Sequence, residues 1–378
     1  MKRTWEEIND KIDRGNIVVI TAEEMTELSE REGVKEACRQ VDVVTTGTFS
    51  PMCSSGLLIN TGHHAPRINY KRAWLNGVPA YAGIAAVDLY LGATAQRENG
   101  GTPSAYGGGH VIEDLVSGRQ IQLQAEGHGT DCYPGRSAEG SYTIDDLENA
   151  ILLNPRNCYQ NYNVAVNASS PGTIHTYMGP LLPDMRNAAY SSAGQLSPLL
   201  NDPEYRTIGI GSRVFLGGGI GYVTFMGTQH NPDTERTPGG VPNCGAGTLA
   251  LCGDLRHMSP EYLRGVCIKG YGVSLAVGVG IAIPILDEEM AFYTGVSDAD
   301  IPAPVIDYSS DYPGMSGDIL GRTNYKELRS GEIKVMGKQV RTISLSSYSK
   351  ARKIAVELKN RIRNGSFRLT VPVAPLME

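Results

Sequence analysis

The stretch EYRTIGIGSRVFLGGGIGYVTFMGTQHNP, residues 204–232, decides the fold. Short runs of β-branched and aromatic residues are separated by glycines, a pattern typical of strands joined by glycine turns. Glycine supplies the backbone angles that such turns need. The centre of the chain is therefore predicted to be a sheet.

Helices are predicted on both sides of this centre. Near the N-terminus, Thr4 to Glu7 and Thr21 to Glu24 are capping-box patterns that open helices on either side of the strand-like NIVVI. At the C-terminus, SSYSKARKIAVELKNRIRNG, residues 346–365, carries one apolar stripe and ends at Gly365. The predicted fold class is α/β, a mixed sheet with flanking helices and long glycine-rich loops, and α+β is the alternative.

Five further elements are predicted from local patterns. They are a helix over TIDDLENAILLN (143–154), a short helix over SPEYLRGV (259–266), a closing strand over SFRLTVPV (366–373), and a strand over VDVVTTGTF (41–49) followed by a helix that begins after Cys53.

The domain organisation is predicted as one main catalytic α/β domain over 1–300 and a C-terminal α/β segment over 301–378, packed on the same body. The boundary is placed in DADIPAPVIDYSSDYPG, residues 298–314, where the composition changes.

Charge and hydropathy exclude several classes of function. The net charge is −6 and no stripe of Lys and Arg is present, which argues against nucleic acid or an anionic membrane as the main partner. The N-terminus lacks the apolar core of a signal peptide, and the longest apolar run, residues 274–286, is too short to span a bilayer. The protein is predicted to be cytoplasmic.

The seven cysteines form neither a disulfide framework nor a metal motif. Their number is odd, and no C-x-x-C occurs. No metal site is therefore predicted, and redox chemistry must use cysteines distant in sequence or a partner.

Cys132 lies in HGTDCYPG, residues 128–135, a turn-rich loop rather than an apolar element. The surrounding glycines permit backbone angles that aim N–H groups at the sulfur, and His128 or Arg136 could supply the positive charge that favours a thiolate. His128 is also the preferred candidate for proton transfer. An inert loop cysteine is the alternative interpretation.

Cys53 lies in SPMCSSG, residues 50–56, where a strand is predicted to meet a helix. Free N–H groups at a helix start would lower the pKa of its thiol. The alternative is a small residue at a tight turn.

Loop arginines are candidates for binding a substrate carboxylate, because a guanidinium can donate two parallel hydrogen bonds to it. The candidate substrate-binding residues are Arg67, Arg136, Arg156, Arg213 and His230.

A nucleotide-binding site is disfavoured. Gly209-x-Gly211 is followed by Val214 where a dinucleotide fingerprint needs a third glycine, and no Walker-type lysine motif is present.

The blocks SPMCSSG, DCYP, LNPRNCYQNYN, the long stretch from Tyr190 to His230 and GYGVSLAVGVGIAIPIL resemble the homocysteine biosynthesis protein family, whose activity is L-aspartate semialdehyde sulfurtransferase. The resemblance runs from about residue 5 to 375. It implies that Cys132 is the sulfur-handling nucleophile and Cys53 its helper. Many archaeal relatives continue into a pair of CBS domains; none is predicted here, so regulation by an adenosyl ligand is not expected.

The implied reaction replaces the aldehyde oxygen of L-aspartate semialdehyde by sulfur and adds two electrons when sulfide is the donor; a cysteine persulfide is the other donor considered. The electrons would come from a Cys53/Cys132 dithiol that becomes a disulfide, or directly from an external donor. No tightly bound cofactor is predicted, and the resemblance implies a separate ferredoxin-like iron–sulfur protein as the electron donor.

Two other functions are left open by the sequence. One is a carrier that passes a persulfide to another protein, and the other is a non-catalytic small-molecule binding protein, in which Cys53 and Cys132 would lie far apart. The oligomeric state is also open, with a homodimer as one option.

Overall fold

A computed structural model describes residues 2–98, 105–310, 312–314 and 317–377. The α-helices are α1 (Trp5–Asp13), α2 (Ala22–Glu32), α3 (Val34–Gln40), α4 (Gly108–Val116), α5 (Pro198–Asn201), α6 (Glu288–Thr294), α7 (Tyr325–Arg329) and α8 (Tyr348–Arg363). Short 3₁₀ helices occur at Ile144–Asp146, Pro183–Met185, Gly194–Leu196, Leu255–His257 and Asp298–Asp300.

The strands of the first half are β1 (Val19–Thr21), β2 (Val43–Thr45), β3 (Thr48–Pro51), β4 (Gly56–Asn60), β5 (Tyr70–Leu75), β6 (Val78–Ala80), β7 (Asp88–Gly92), β8 (Ile121–Gly127), β9 (Ser137–Tyr142), β10 (Asn149–Asn157), β11 (Val164–Val166) and β12 (Ile174–Thr176). Those of the second half are β13 (Gly179–Leu181), β14 (Asn187–Tyr190), β15 (Arg213–Leu216), β16 (Gly219–Met226), β17 (Leu249–Asp254), β18 (Leu263–Ile268), β19 (Gly272–Gly280), β20 (Ala282–Pro284), β21 (Pro302–Asp307), β22 (Ile319–Asn324), β23 (Glu332–Val335) and β24 (Lys338–Ser344).

The largest sheet is built around the glycine-rich stretch of residues 204–232. Its order is β18-β19-β15-β16-β17-β10-β4-β7, with β3 also paired to β19. The β15–β16 hairpin turns at Gly217 and Gly218, which both have positive φ. The predicted glycine-turned strands are therefore confirmed, and so is the α/β class.

A second, six-stranded sheet joins distant parts of the chain. Its order is β22-β21-β11-β14-β24-β23, and β21 and β24 each pair in parallel with a strand from the middle of the chain. Strands from both sides of the predicted domain boundary near residue 301 share this sheet, and the boundary itself stays a prediction. Asp311, inside the predicted boundary stretch, is outside the described residues.

The helices at the two ends of the chain begin where the sequence predicts. Both N-terminal capping boxes are formed, at Thr4 with Glu7 and at Thr21 with Glu24. Helix α8 buries its apolar stripe against the large sheet, and Gly47 permits this approach because a Cβ there would clash with the Ala351 carbonyl oxygen.

Two predicted helices are wrong. The Thr143 capping box is formed, but it opens only one 3₁₀ turn, and the chain then continues as β10 between β4 and β17. Ala150, Leu152 and Asn154 are all buried, so burial repeats every two residues, as in a strand. Pairing in the sheet therefore outweighs the helix propensity of this segment. SPEYLRGV likewise forms a turn followed by β18.

Two predictions near the site and the C-terminus are also wrong. The residues after Cys53 form a turn into β4 rather than a helix, so no helix N-terminus lies next to its thiol. The segment predicted as a closing strand forms none; the chain end instead contributes a single bridge between Ala374 and Ile210. VDVVTTGTF is divided between β2 and β3, which belong to different sheets.

Within the described ranges, no helix is long and apolar enough to cross a membrane. Localisation in the cytoplasm stays a prediction.

Candidate active site

Cys53 lies in the tight turn between β3 and β4. The turn is closed by a hydrogen bond from the Ser55 N–H to the Met52 carbonyl, and the Met52 N–H bonds to Leu275 of β19. Because β3 pairs with β19, the turn is anchored on two sides and its thiol is half-buried in a fixed place.

Two hydroxyl groups contact the sulfur of Cys53. Ser274 of β19 donates a hydrogen bond to Sγ at 3.3 Å, and the Tyr271 hydroxyl, from the turn that precedes β19, lies beside the same sulfur. Burial, and then the contact with Cys53, raises the pKa of Tyr271. The phenol therefore stays protonated at neutral pH and can donate a hydrogen bond to a thiolate.

The thiol faces a cavity of about 200 Å³. It is lined by Pro51, Met52, Cys53, Ser54, Arg156, Tyr159, Tyr162, Tyr177, Ser191, Gln229, Tyr271 and Leu345. Arg156 is the only charged side chain in this lining set, and no carboxylate of the described chain forms an ion pair with it. The cavity therefore combines one nucleophile with one unpaired cation.

Four tyrosines, together with Ser54, Ser191 and Gln229, give the cavity its remaining polar surface. Burial raises the pKa of Tyr159 to about 12, and burial also raises that of Tyr177. The hydroxyls of Tyr162 and Tyr177 are 2.8 Å apart, and that of Tyr177 continues to Tyr308 at 2.9 Å. Neutral phenols in such a chain are both donors and acceptors, so they can bind a polar substrate and move protons.

Cys132 lies elsewhere, on the exposed loop between β8 and β9. Thr130 and Tyr133 close this loop through reciprocal backbone hydrogen bonds. Three other residues that were predicted for the site lie around this loop and are exposed, namely His128, Arg136 and Arg67. Arg136 packs over Gly129, and the Arg67 carbonyl accepts a hydrogen bond from the Gly135 N–H.

The two cysteines lie at opposite ends of β4. Cys53 lies just before Gly56, the first residue of β4. The Cys132 loop contacts the chain just beyond Asn60, the last residue of β4, where the rings of His63 and Tyr133 stack with their centroids 6.4 Å apart. The four residue steps of β4 alone span about 13 Å. A direct disulfide needs Cα atoms within about 7 Å, so these two thiols cannot form one within this conformation of a single chain.

Of the predicted substrate-binding residues, only Arg156 lines the Cys53 cavity. Arg213 donates to the Arg368 carbonyl on another face of the large sheet. His230 is bound through Nδ1 to Thr248, and only its neighbour Gln229 reaches the cavity. The structure thus brings Cys53 and Arg156 together and gathers Cys132, His128, Arg136 and Arg67 at a second place.

The cavity tyrosines, Ser274 and Gln229 were not predicted as site residues from the sequence. A compositional signal was present: the chain has 19 tyrosines and only 5 phenylalanines, an excess of aromatic residues that carry a hydroxyl. The composition could not show which tyrosines converge, because these come from three separate connections between strands.

A free thiol held by two hydroxyl donors, facing an unpaired guanidinium across a small cavity, defines a site for cysteine chemistry on a small anionic molecule. The family described as "Homocysteine biosynthesis enzyme, sulfur-incorporation" matches residues 17–369. This chain therefore belongs to the homocysteine biosynthesis enzyme family, as the resemblance predicted.

Among its relatives are two proteins named L-aspartate semialdehyde sulfurtransferase. That of Methanosarcina acetivorans is 48% identical over 379 residues, covering 100% of this chain and 72% of the relative. That of Methanocaldococcus jannaschii is 49% identical over 387 residues, covering 99% and 73%. An uncharacterized protein of Methanothermobacter thermautotrophicus is 28% identical, covering 88% and 73%. No solved structure matches this chain.

Proposed function

We propose that this chain is an L-aspartate semialdehyde sulfurtransferase, which forms L-homocysteine by replacing the aldehyde oxygen of its substrate with sulfur. The observation that carries the proposal is the position of Cys53 in a cavity whose lining has one charged side chain, Arg156. The names of the two relatives at 48% and 49% identity supply the substrate.

The cavity suits a short amino acid. Its volume of about 200 Å³ lies below that of sites for drug-sized ligands, so it selects a molecule of few heavy atoms. Arg156 would bind the α-carboxylate, and Gln229 with the tyrosine hydroxyls would accept hydrogen bonds from the α-ammonium group. This leaves the aldehyde end directed to Cys53.

The chemistry balances in three steps. Sulfide adds to the aldehyde carbon, forming a C–S bond while the carbonyl oxygen takes a proton. The resulting hydroxyl leaves as water, and a carbon–sulfur double bond forms; a neutral phenol of the cavity would give the proton for this loss. Two electrons and two protons then convert the thioaldehyde into a thiol.

Cys53 would supply the two electrons. Its thiolate attacks the sulfur of the thioaldehyde, an S–S bond forms, and the substrate carbon takes the electron pair and a proton. The product is a mixed disulfide between Cys53 and homocysteine. An external two-electron donor then reduces this disulfide, which releases homocysteine and restores the thiol.

Cys132 would act at the surface as the thiol that meets the external donor of electrons or of sulfur. Its exposure suits contact with a protein partner, and a ferredoxin-like iron–sulfur protein is our proposed donor. Since Cys132 and Cys53 lie at opposite ends of β4, transfer between them requires movement of the Cys132 loop or the Cys132 of a second copy in a homodimer.

The separation of the two cysteines is also what a non-catalytic binding protein would show. Membership of an enzyme family argues against that alternative. A persulfide carrier keeps the reactive thiol but needs no amino-acid cavity, so the unpaired Arg156 facing Cys53 favours the sulfurtransferase.

The proposed function is tested by an anaerobic assay. Protein, L-aspartate semialdehyde, sulfide and a strong reductant are incubated, and homocysteine is measured. Formation of homocysteine over several turnovers is the expected result. A folded protein that forms no homocysteine, even with an iron–sulfur donor protein, but transfers labelled sulfur to an acceptor would be a persulfide carrier.

Substitution Arg156→Gln is expected to raise the KM for L-aspartate semialdehyde about tenfold to a hundredfold, because hydrogen bonds to a charged group contribute roughly 1.5–3 kcal/mol. The KM for sulfide should stay unchanged. Arg119→Gln, at an exposed arginine paired with Asp114, is the matched control. Equal KM values for wild type and Arg156→Gln would remove Arg156 from the substrate site.

A further inference from the structure

A small chamber adjoins the Cys53 cavity. It has a volume of about 10 Å³, which is room for one water-sized molecule. Met52, Tyr159 and Ser191 line both the chamber and the larger cavity, so the two spaces adjoin each other at these residues.

The chamber has hydroxyl groups that no protein group satisfies. Thr48 and Ser50 are 5% and 2% exposed, and neither hydroxyl bonds to another described residue. Their oxygens are accessible from the chamber, so an occupant that accepts or donates hydrogen bonds can supply the missing partner. By contrast, the hydroxyls of Ser192 and Ser197 in the same wall bond to each other and to backbone N–H groups.

Two strained residues also lie in this wall. Ser192 has φ 118° and Cys158 has φ 52°, in a region that residues other than glycine seldom adopt. Such strain persists only where the surrounding structure imposes it, and it concentrates at functional sites.

The chemical character of the wall favours sulfur over oxygen. Besides hydroxyls, the wall presents the thioether of Met52 and the thiol of Cys158. Burial raises the pKa of the Cys158 thiol, so this group stays neutral and polarizable instead of competing as a nucleophile.

We infer that this chamber is the binding site of the inorganic sulfide that the reaction consumes, held by Thr48 and Ser50 beside Cys53. The inference rests on the proposed function, and it also favours free sulfide as the sulfur donor. A protein-bound persulfide would carry its sulfur to the site on its own chain and would have no use for a separate chamber of one-molecule size.

The first test is structural. Crystals of the full chain are soaked anaerobically with sodium sulfide, and an anomalous sulfur signal is sought in the chamber. A peak within hydrogen-bond distance of Thr48 and Ser50 is expected. A chamber that holds only water at saturating sulfide would overturn the inference, whether or not the protein forms homocysteine.

The second test is kinetic and uses Thr48→Val, which removes the hydroxyl and keeps the shape. We expect the KM for sulfide to rise about tenfold and the KM for L-aspartate semialdehyde to change little. Ser50→Val, which also fills the chamber, should raise the KM for sulfide further, and Ser50→Ala is the milder variant if either protein fails to fold. Thr294→Val, at an equally buried threonine bonded within α6, is the control.

The outcomes separate the two hypotheses. A rise in the KM for the aldehyde alone, or no kinetic change in folded Thr48 and Ser50 variants, contradicts the sulfide site while leaving the sulfurtransferase intact. A wild-type protein that binds sulfide in the chamber but forms no homocysteine contradicts the proposed function instead.

Discussion

Replacement Cys53→Ser is expected to lower homocysteine formation roughly a thousandfold or more, because a serine hydroxyl is a far weaker nucleophile than a thiolate and cannot form the mixed disulfide. The substitution should leave the fold intact, since serine keeps a polar atom in reach of Ser274 and Tyr271. Steady-state homocysteine formation with saturating sulfide measures the effect.

The same experiment has a covalent readout. Wild-type protein mixed with sulfide and L-aspartate semialdehyde, without added reductant, should carry homocysteine in disulfide linkage on Cys53, identified by peptide mass spectrometry. Cys252→Ser, at a half-buried cysteine outside the cavity, should keep both activity and adduct. Near-normal turnover in Cys53→Ser would show that Cys53 is not the nucleophile.

Replacement Cys132→Ser is expected to lower sustained turnover about a hundredfold or more. Unlike Cys53→Ser, it should affect reduction of the Cys53 adduct and not its formation. Since Cys132 lies outside the cavity, the first formation of the Cys53 adduct should proceed, while its reduction by the external donor should fail. Rapid-mixing mass spectrometry of the adduct, with and without reductant, separates the two steps. Cys267→Ser, at another exposed cysteine, is the control.

Mixing the two single variants tests how the cysteines cooperate. If Cys132 acts on the Cys53 of a second copy, purified Cys53→Ser and Cys132→Ser proteins should together recover part of the lost activity after subunit exchange. If the Cys132 loop moves within one chain, the mixture stays inactive and oxidation should yield a Cys53–Cys132 disulfide in the monomer. Unchanged turnover in Cys132→Ser would contradict a catalytic role for this residue.

Two residues of the cavity were predicted from the sequence, although their roles stay predictions. Cys53 was predicted as a thiol in a small-residue loop and Arg156 as a loop arginine. Both line the cavity, although Arg156 lies within β10 and not in a loop. The electrostatic argument for Cys53 was wrong, because the chain after it is a strand; the hydroxyls of Ser274 and Tyr271 take the place of the expected helix N-terminus. Those hydroxyls lie more than 200 positions away along the chain.

Predictions of the fold failed where local and nonlocal preferences disagreed. The signal at Thr143 was genuine, since its capping box forms, yet the residues after it joined the large sheet. A capping box depends only on the next three residues of the chain. The conformation of β10, in contrast, is stabilised by pairing with β4 on one side and β17 on the other.

The sequence by itself determined the α/β class, the terminal helices, the glycine-turned hairpin and the family. Each of these depends on a short-range pattern or on the order of residue types along the chain. Only the tertiary structure decided that Cys53, Arg156 and Tyr271 share one cavity, that Ser274 bonds to the Cys53 sulfur, and that Cys132 lies beyond the far end of β4. The physical reason is that strand pairing joins segments without regard to their separation in sequence. A side chain's neighbours across a sheet are set by register and topology, which no local pattern encodes.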